Sequence, residues 1–234
     1  MAIVELQDVH KKYPLGRTQV HAVQGVSFEI QEGDFISIAG PSGSGKSTIL
    51  NLLGCIDVPS EGKVIIDQQD TRLLSDKEIT RLRHRLIGFI FQSFNLIPVL
   101  NVYENIEFPL LLGAKRSKSE RLQQREWIDH LIDEVGLSKW RTHRPNELSG
   151  GQRQRVAIAR ALVSKPDIIL ADEPTANLDS KTGAMIIELM KQINRQQGTT
   201  FIFSTHDMSI VDIADHVIRL QDGVLAEEYR RARK

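Results

Sequence analysis

The chain has 234 residues, 41% of them hydrophobic and 26% charged, which is enough apolar material for a sizeable core and rules out wholesale disorder or a fibrous protein. Thirty Lys and Arg balance thirty Asp and Glu, so the basic excess that a nucleic-acid backbone binder usually carries is missing. The length is roughly one and a half times the usual domain prior and suggests one compact domain with an inserted piece.

The opening Met1-Ala2-Ile3-Val4-Glu5 has no basic start followed by an apolar stretch, so no signal peptide is expected. Two strand-like runs, Ile3–Val9 and Val23–Ile30, flank a turn at Pro14-Leu15-Gly16 and predict an antiparallel sheet. Phe35–Ala39 then reads as a buried strand running into a glycine-rich loop and a helix over Lys46–Cys55. Cys55 is the single cysteine. It cannot form an intramolecular disulfide, and it reads as a small buried hydrophobe at a helix end.

Lys63–Asp67 is the next strand candidate, and Ser75-Asp76-Lys77-Glu78 is a capping box opening a helix to about Leu86. After Ile87–Phe91 and Gln92 the signals turn helical as far as Val163. A second capping box lies at Ser117–Glu120, with Ile128, Leu131, Ile132 and Val135 at helical spacing and Gly136 as the stop. Alternation then resumes with strand Ile168–Ala171, a helix over Lys181–Gln196, strand Thr200–Ser204, a helix from Met208, and a final strand near His216–Leu220 before a charged tail. The division expected is a core of residues 1–92 and 164–234 with a helical subdomain of residues 93–163. No run approaches the roughly 18 apolar residues of a membrane span. A cytosolic chain is expected, which leaves open whether it docks on something in a membrane.

Gly40-Pro41-Ser42-Gly43-Ser44-Gly45-Lys46-Ser47 fits G-x-x-x-x-G-K-[ST] at every fixed position. Such glycines let the backbone curl so that N–H groups point inward on phosphate oxygens, and the dipole of the following helix adds to that field. Lys46 is placed to reach the outer phosphates and the Ser47 hydroxyl to ligate magnesium. Asp172 and Glu173 end an apolar strand at the carboxyl edge where open α/β sheets bind ligands. Asp172 suits a second magnesium contact through water, and Glu173 suits polarising an attacking water. In Leu148-Ser149-Gly150-Gly151-Gln152 a serine N-cap and two glycines open an amphipathic helix whose bare N–H groups form a second anion site. Two phosphate-binding elements so far apart must meet either by folding back within one chain or by pairing two chains head to tail.

The order Gly40–Ser47, Gln92, Leu148–Gln152, Asp172-Glu173, Asn177-Leu178-Asp179 and His206, with Tyr13 upstream, resembles the ATP-binding-cassette ATPases over essentially the whole chain. The resemblance implies a P-loop core with an antiparallel β subdomain and an inserted helical subdomain. It also implies ATP and Mg2+ as ligands and a homodimer in which the Gly40–Thr48 loop of one chain and the Ser149–Gln152 segment of the other enclose each ATP. By the same resemblance Tyr13 stacks on adenine, Gln92 contacts magnesium and the lytic water, His206 bonds the γ-phosphate, and Asp179 reaches across the dimer. Lys46, Glu173 and His206 are the implied catalytic set.

Within that family, Phe91–Leu112 together with Asn51–Cys55 and Asn146–Leu148 looks most like the bacterial branch of lipoprotein-releasing, macrolide-exporting and cell-division cassettes. The partner implied is a separate integral permease with few spans and a large external domain, contacted near Gln92–Tyr103 from the cytoplasmic face of the inner membrane. Phe94, Leu96, Ile97 and Val99 could equally receive that partner or pack the subdomain's own core. The alternative is a soluble cassette ATPase acting in DNA repair or translation, and the neutral charge speaks against it. Arg81, Arg83, His84 and Arg85 read as a solvated face, and Arg230, Arg231, Arg233 and Lys234 as a frayed end.

Overall fold

A computed structural model describes residues 1–16, 18–112 and 117–231. Two sheets and a group of helices make up the chain. The first sheet is antiparallel, in the order β2 (Thr18–Gln31), β1 (Ala2–Leu15), β4 (Glu61–Ile66), β5 (Gln69–Asp70). Its core face is set by alternation: Leu6, Val9, Val26, Phe28 and Ile30 are buried while their neighbours in sequence are more exposed, and at the start of β1 Ile3 and Val4 are both buried. Both long strands outrun the apolar alternation that predicted them. They pair on through Tyr13–Val20 to Leu15–Thr18, because the hairpin ladder continues past the last buried side chain.

The second sheet runs β10 (Val224–Arg230), β9 (His216–Gln221), β3 (Phe35–Ala39), β8 (Thr200–Thr205), β7 (Ile168–Asp172), β6 (Ile87–Ile90). All but β10 are parallel. β3 and β8 are buried along their whole length, as strands covered on both faces must be. The helices α1 (Lys46–Leu53), α2 (Asp76–Leu86), α6 (Ser180–Gln197) and α7 (Met208–Ile213) connect these strands. Between β6 and β7 the chain leaves the sheet for α3 (Val102–Leu111), α4 (Lys118–Glu134) and α5 (Gly150–Leu162). Ile106, Ile128, Leu131, Ile132, Val135, Val156 and Ile158 form one buried cluster there, continuous with Phe201 and Phe203 of the sheet. α2, α3, α4 and α5 each start on a capping box, with Ser75, Asn101, Ser117 and Ser149 at the caps.

Two expectations at the ends of elements are corrected. α1 stops at Leu53, and Cys55, though buried, follows it in a left-handed conformation of φ 51°. Burial pushes the Cys55 thiol up to about 11. The charged tail is an edge strand, β10, whose alternation of glutamates with Leu225 and Tyr229 carries too weak an apolar signal to read as a strand. Arg230 donates to Asp34 Oδ2 at 3.0 Å and to the Glu29 carbonyl at 3.0 Å, and Arg231 donates to the Val211 carbonyl at 2.6 Å, so neither is frayed. Arg233 and Lys234 lie outside the described residues. On α2, Arg83 donates to the Cys55 carbonyl and Arg85 to Asp67, so part of the basic face is tied to neighbouring structure.

Candidate functional site

A cavity of about 700 Å³ opens at the carboxyl ends of the parallel strands, lined by Pro41–Gly43, Gly45–Thr48, Gln92, Glu173 and His206, with Val20–Ala22 as its outer wall. The loop that forms its floor is held open by backbone strain that only glycine tolerates. Gly45 is the N-cap of α1 at φ 99°, and a Cβ there would sit 2.4 Å from the Ala22 carbonyl oxygen. α1 has no side-chain cap, so the N–H groups of its first turn face the cavity with the positive end of the helix dipole behind them. The Ser44 hydroxyl is buried and has no hydrogen-bond partner among the described residues. Lys46 is buried along the floor and donates to the carbonyls of Gly40 at 2.8 Å and Pro41 at 2.9 Å.

On the facing wall, Glu173 follows β7 in a left-handed conformation of φ 44°, and its N–H donates to the Ser204 carbonyl at 2.9 Å. That strained turn aims the carboxylate at β8. Oε1 lies 2.7 Å from His206 Nδ1, and Oε2 accepts from the Thr205 hydroxyl at 3.3 Å. The Glu173 side chain is 15% exposed and that of His206 71%, so a shielded carboxylate is oriented by an accessible imidazole. Asp172 Oδ1 accepts from the Ser47 hydroxyl at 3.3 Å. The sequence order placed these groups at separate strand ends. Their pairing is a product of β7 lying beside β8 and facing the loop after β3.

The other expected residues take different positions. Tyr13 lies on β1 outside the cavity wall. Its hydroxyl donates to Asp57 Oδ2 at 2.8 Å, and the Lys11 ammonium lies 4.9 Å from its ring centroid. Burial, and then the Asp57 carboxylate, push its hydroxyl above the ordinary phenol range. None of Leu148–Gln152 lines the cavity. These residues sit instead against the turn after β7, where Gly150 faces Leu178 and the Asn177 carbonyl. Asn177 Nδ2 donates to the Gln92 carbonyl at 2.8 Å. Asp179 caps α6 by accepting from the Thr182 N–H at 3.0 Å, and its pKa is lowered by the Thr182 hydrogen bonds.

The expectation of bare N–H groups at the start of α5 needs correcting. Ser149 Oγ accepts from the Gln152 N–H at 3.3 Å, and Gln152 Oε1 accepts from the Ser149 N–H at 2.8 Å. The open donors of that turn are those of Gly150 and Gly151. The wall residues Val20, His21 and Ala22 were not singled out from the sequence. They carry no motif, and only the long β1–β2 hairpin brings them to the phosphate loop.

The apolar run after Gln92 divides its side chains. Phe94 is 8% exposed and Leu96 packs on the helical core, whereas Val99 is 70% exposed. Among the described residues no helix is long and apolar enough to cross a membrane, and no cluster of three or more His, Cys, Asp or Glu could hold a metal ion.

These features have counterparts in known proteins. A family model for ABC transporters matches residues 23–176. The lipoprotein-releasing system ATP-binding protein LolD 1 of Rhodopseudomonas palustris is 43% identical over 225 residues, covering 96% of this chain and 98% of its own. The macrolide export ATP-binding/permease protein MacB of Bdellovibrio bacteriovorus is 43% identical over 228 residues, 97% of this chain but 34% of that larger protein. The ABC transporter ATP-binding protein MJ0796 of Methanocaldococcus jannaschii is 46% identical over 226 residues, 97% of this chain and 96% of its own. Its dimeric post-hydrolysis structure with ADP and Pi superposes with a TM-score of 0.88 over 98% of this chain and 99% of that one. The matched segment begins on β2, spans the phosphate loop and the whole helical insert, and ends just past Glu173, so the chain belongs to the ABC transporter family, in which it is an ATP-binding, ATP-hydrolysing subunit.

Proposed function

We propose that two copies of this chain close head to tail around two ATP molecules and that the cycle drives a separate membrane permease. The observation that carries this reading is the division of the site. One cavity holds the Gly40–Thr48 loop, Gln92, Glu173 and His206, while Leu148–Gln152 stands outside it. A glycine-rich helix start with open Gly150 and Gly151 N–H groups has no use for the chain's own cavity, and it suits the triphosphate held by a second chain. The dimeric form of the Methanocaldococcus relative with ADP and Pi supports a pairing of two chains.

In this reading the phosphate-loop N–H groups and Lys46 bind the β- and γ-phosphates, with Lys46 exchanging the Gly40 and Pro41 carbonyls for phosphate oxygens. Tyr13, held by Asp57, offers its ring to the adenine. The adjacent Ser47 hydroxyl and Asp172 carboxylate are hard oxygen donors. They fit Mg2+, which takes one or two protein oxygens and completes its shell with phosphates and water. Such an ion, once bound, neutralises charge building up on the phosphates. Gln92 completes that corner of the cavity.

Glu173 accepts a proton from the attacking water as the water oxygen bonds to Pγ and the bond to the β-phosphate oxygen breaks. His206 holds the Glu173 carboxylate through Nδ1 and presents its other face to the γ-phosphate. Most of the acceleration comes from positioning and charge neutralisation. Asn177, Leu178 and Asp179 form the surface that meets the second chain.

The permease contact is the segment Gln92–Tyr103, where Val99 is exposed. Relatives named for lipoprotein release, and one named as a combined ATP-binding and permease protein, favour a membrane permease as the partner, and the branch that the sequence resembles implies one with few spans and a large external domain. The chain would then work as a peripheral subunit on the cytoplasmic face of the inner membrane, with residues 93–163 moving as the helical unit that transmits the stroke. The test is affinity purification from detergent-solubilised native membranes with the retained subunit sequenced. The expected result is a stoichiometric membrane protein of that type whose presence stimulates ATP turnover. Retention of ribosomes or DNA, or recovery of the chain alone, would sink the coupling.

A further inference from the structure

Arg160 lies on α5, half-buried, and desolvation alone acts on its pKa, lowering it, with no carboxylate contributing. A shielded guanidinium without a counter-charge is costly, and its donors must be used elsewhere. They are: Nη2 donates to the Phe94 carbonyl at 2.7 Å and Nη1 to the Asn95 carbonyl at 2.5 Å. Those two residues are unusual in their own right. Phe94 at φ 61° and Asn95 at φ 48° are consecutive left-handed residues, a conformation that phenylalanine rarely adopts and that persists only where the surroundings over-determine it. The surroundings here are the turn's own bonds, from the Phe94 N–H to the Phe91 carbonyl at 3.0 Å and from the Asn95 N–H to the Ser93 carbonyl at 2.7 Å, and one helix, α5. Arg160 takes both carbonyls in its fork, and the Arg153 guanidinium lies 5.2 Å from the Phe94 ring centroid. At the other end of the turn, Asn177 Nδ2 holds the Gln92 carbonyl at 2.8 Å.

We propose that Arg160 is a positioning residue for ATP hydrolysis, whose guanidinium clamps the Phe94–Asn95 turn so that Gln92 stands at a fixed place in the nucleotide cavity. The inference rests on the reading of Gln92 given above. It adds that the place of Gln92 is set from α5, the helix that also carries Ser149–Gln152. The clamp therefore ties the chain's own nucleotide to the helix offered to the second chain. The two bonds come from separate nitrogens of one planar fork, Nη1 and Nη2, and a lysine on the same helix would bring a single nitrogen in their place.

The test uses the full chain with Arg160→Met and Arg160→Lys, the latter keeping the charge and stem so that folding is retained. Amide hydrogen exchange without nucleotide is read over residues 91–97 and over α5. Steady-state turnover and the Mg2+ dependence of fluorescent ATP binding are read beside it. The expected result is exchange in 91–97 at least tenfold faster with the interior of α5 unchanged, kcat down at least tenfold, a several-fold higher Mg2+ requirement, and Mg2+-free nucleotide affinity unchanged. Arg160→Lys falls between Arg160→Met and wild type. Wild-type exchange and turnover in Arg160→Lys, or exchange rising equally throughout α5, would overturn the clamp. Gln92→Ala separates the two layers. If it turns over like wild type, the reading of Gln92 fails and the catalytic part of this proposal fails with it. If Gln92→Ala is slow while the Arg160 variants are not, only the clamp is wrong.

Discussion

α1 and α5 both begin at a glycine-rich sequence, yet they treat their first N–H groups in opposite ways. α1 starts from Gly45 in a left-handed conformation with no side-chain cap. α5 starts from Ser149 with a complete capping box to Gln152. An uncapped helix start costs stability in an isolated chain, and the P-loop accepts that cost because a phosphate is meant to serve as the cap. α5 closes two of its own hydrogen bonds and leaves the Gly150 and Gly151 N–H groups open, so its cap is complete without a ligand. In the proposed dimer, one helix start serves a ligand of its own chain and the other a ligand brought by its neighbour.

The comparison can be broken most sharply on the α1 side. Glu173→Gln keeps the volume and removes the base, so turnover should fall about 10³-fold while ATP affinity is retained. Loss of affinity in parallel, read by fluorescent nucleotide titration, would mean that Glu173 serves binding instead. Gly45→Ala places a methyl 2.4 Å from the Ala22 carbonyl at φ 99°. Because something must shift, ATP affinity should fall at least tenfold by the same titration.

Ser149→Ala tests the α5 side with two readouts. Loss of the cap costs about 1 kcal/mol, a fall in Tm of about 2–4 °C for a chain of this size. If Ser149 also meets a neighbour's phosphate, turnover falls at least tenfold as well. A lower Tm with unchanged turnover would leave α5 as a merely structural helix.

The smallest effect is far from both helix starts. Burial would raise the Asp34 carboxyl, but the adjacent His216 imidazole, the Gln31 N–H and Arg230 outweigh it and hold the group at about 2. A carboxyl depressed in the folded state stabilises above its unfolded pKa of 3.8 and loses that contribution as pH falls from about 4 to about 2. The amount is about 2 kcal/mol. Asp34→Asn should therefore lower stability at pH 7 by roughly that amount in urea unfolding, with the gap to wild type closing near pH 2, and leave turnover of the folded protein unchanged.

The parts legible in the sequence were those whose signal is local. The phosphate loop is eight consecutive residues, and the capping boxes at Ser75 and Ser117 and the serine cap at Ser149 announce helix starts within four. β10 was missed because an edge strand rich in glutamate and arginine buries little and so shows little periodicity. The wall residues Val20–Ala22 and the bonds His206–Glu173 and Arg160–Phe94 were illegible for another reason. Each joins segments separated by tens of residues: the strand order β8-β7 brings His206 to Glu173, the β1–β2 hairpin brings the wall residues, and α5 brings Arg160 to Phe94. The reciprocal bond of Gln152 to the Ser149 N–H could have been foreseen beside the serine cap, since the S-x-x-Q spacing is itself a capping box.

The central claim is that each nucleotide is completed by a second chain, and sedimentation of the Glu173→Gln protein with and without ATP tests it most directly. The account predicts a monomer when empty and a two-chain species holding two ATP when nucleotide is added, reversed by Ser149→Arg in the same background. A protein that remains monomeric at saturating ATP, or that is an equally tight dimer without it, would contradict the account.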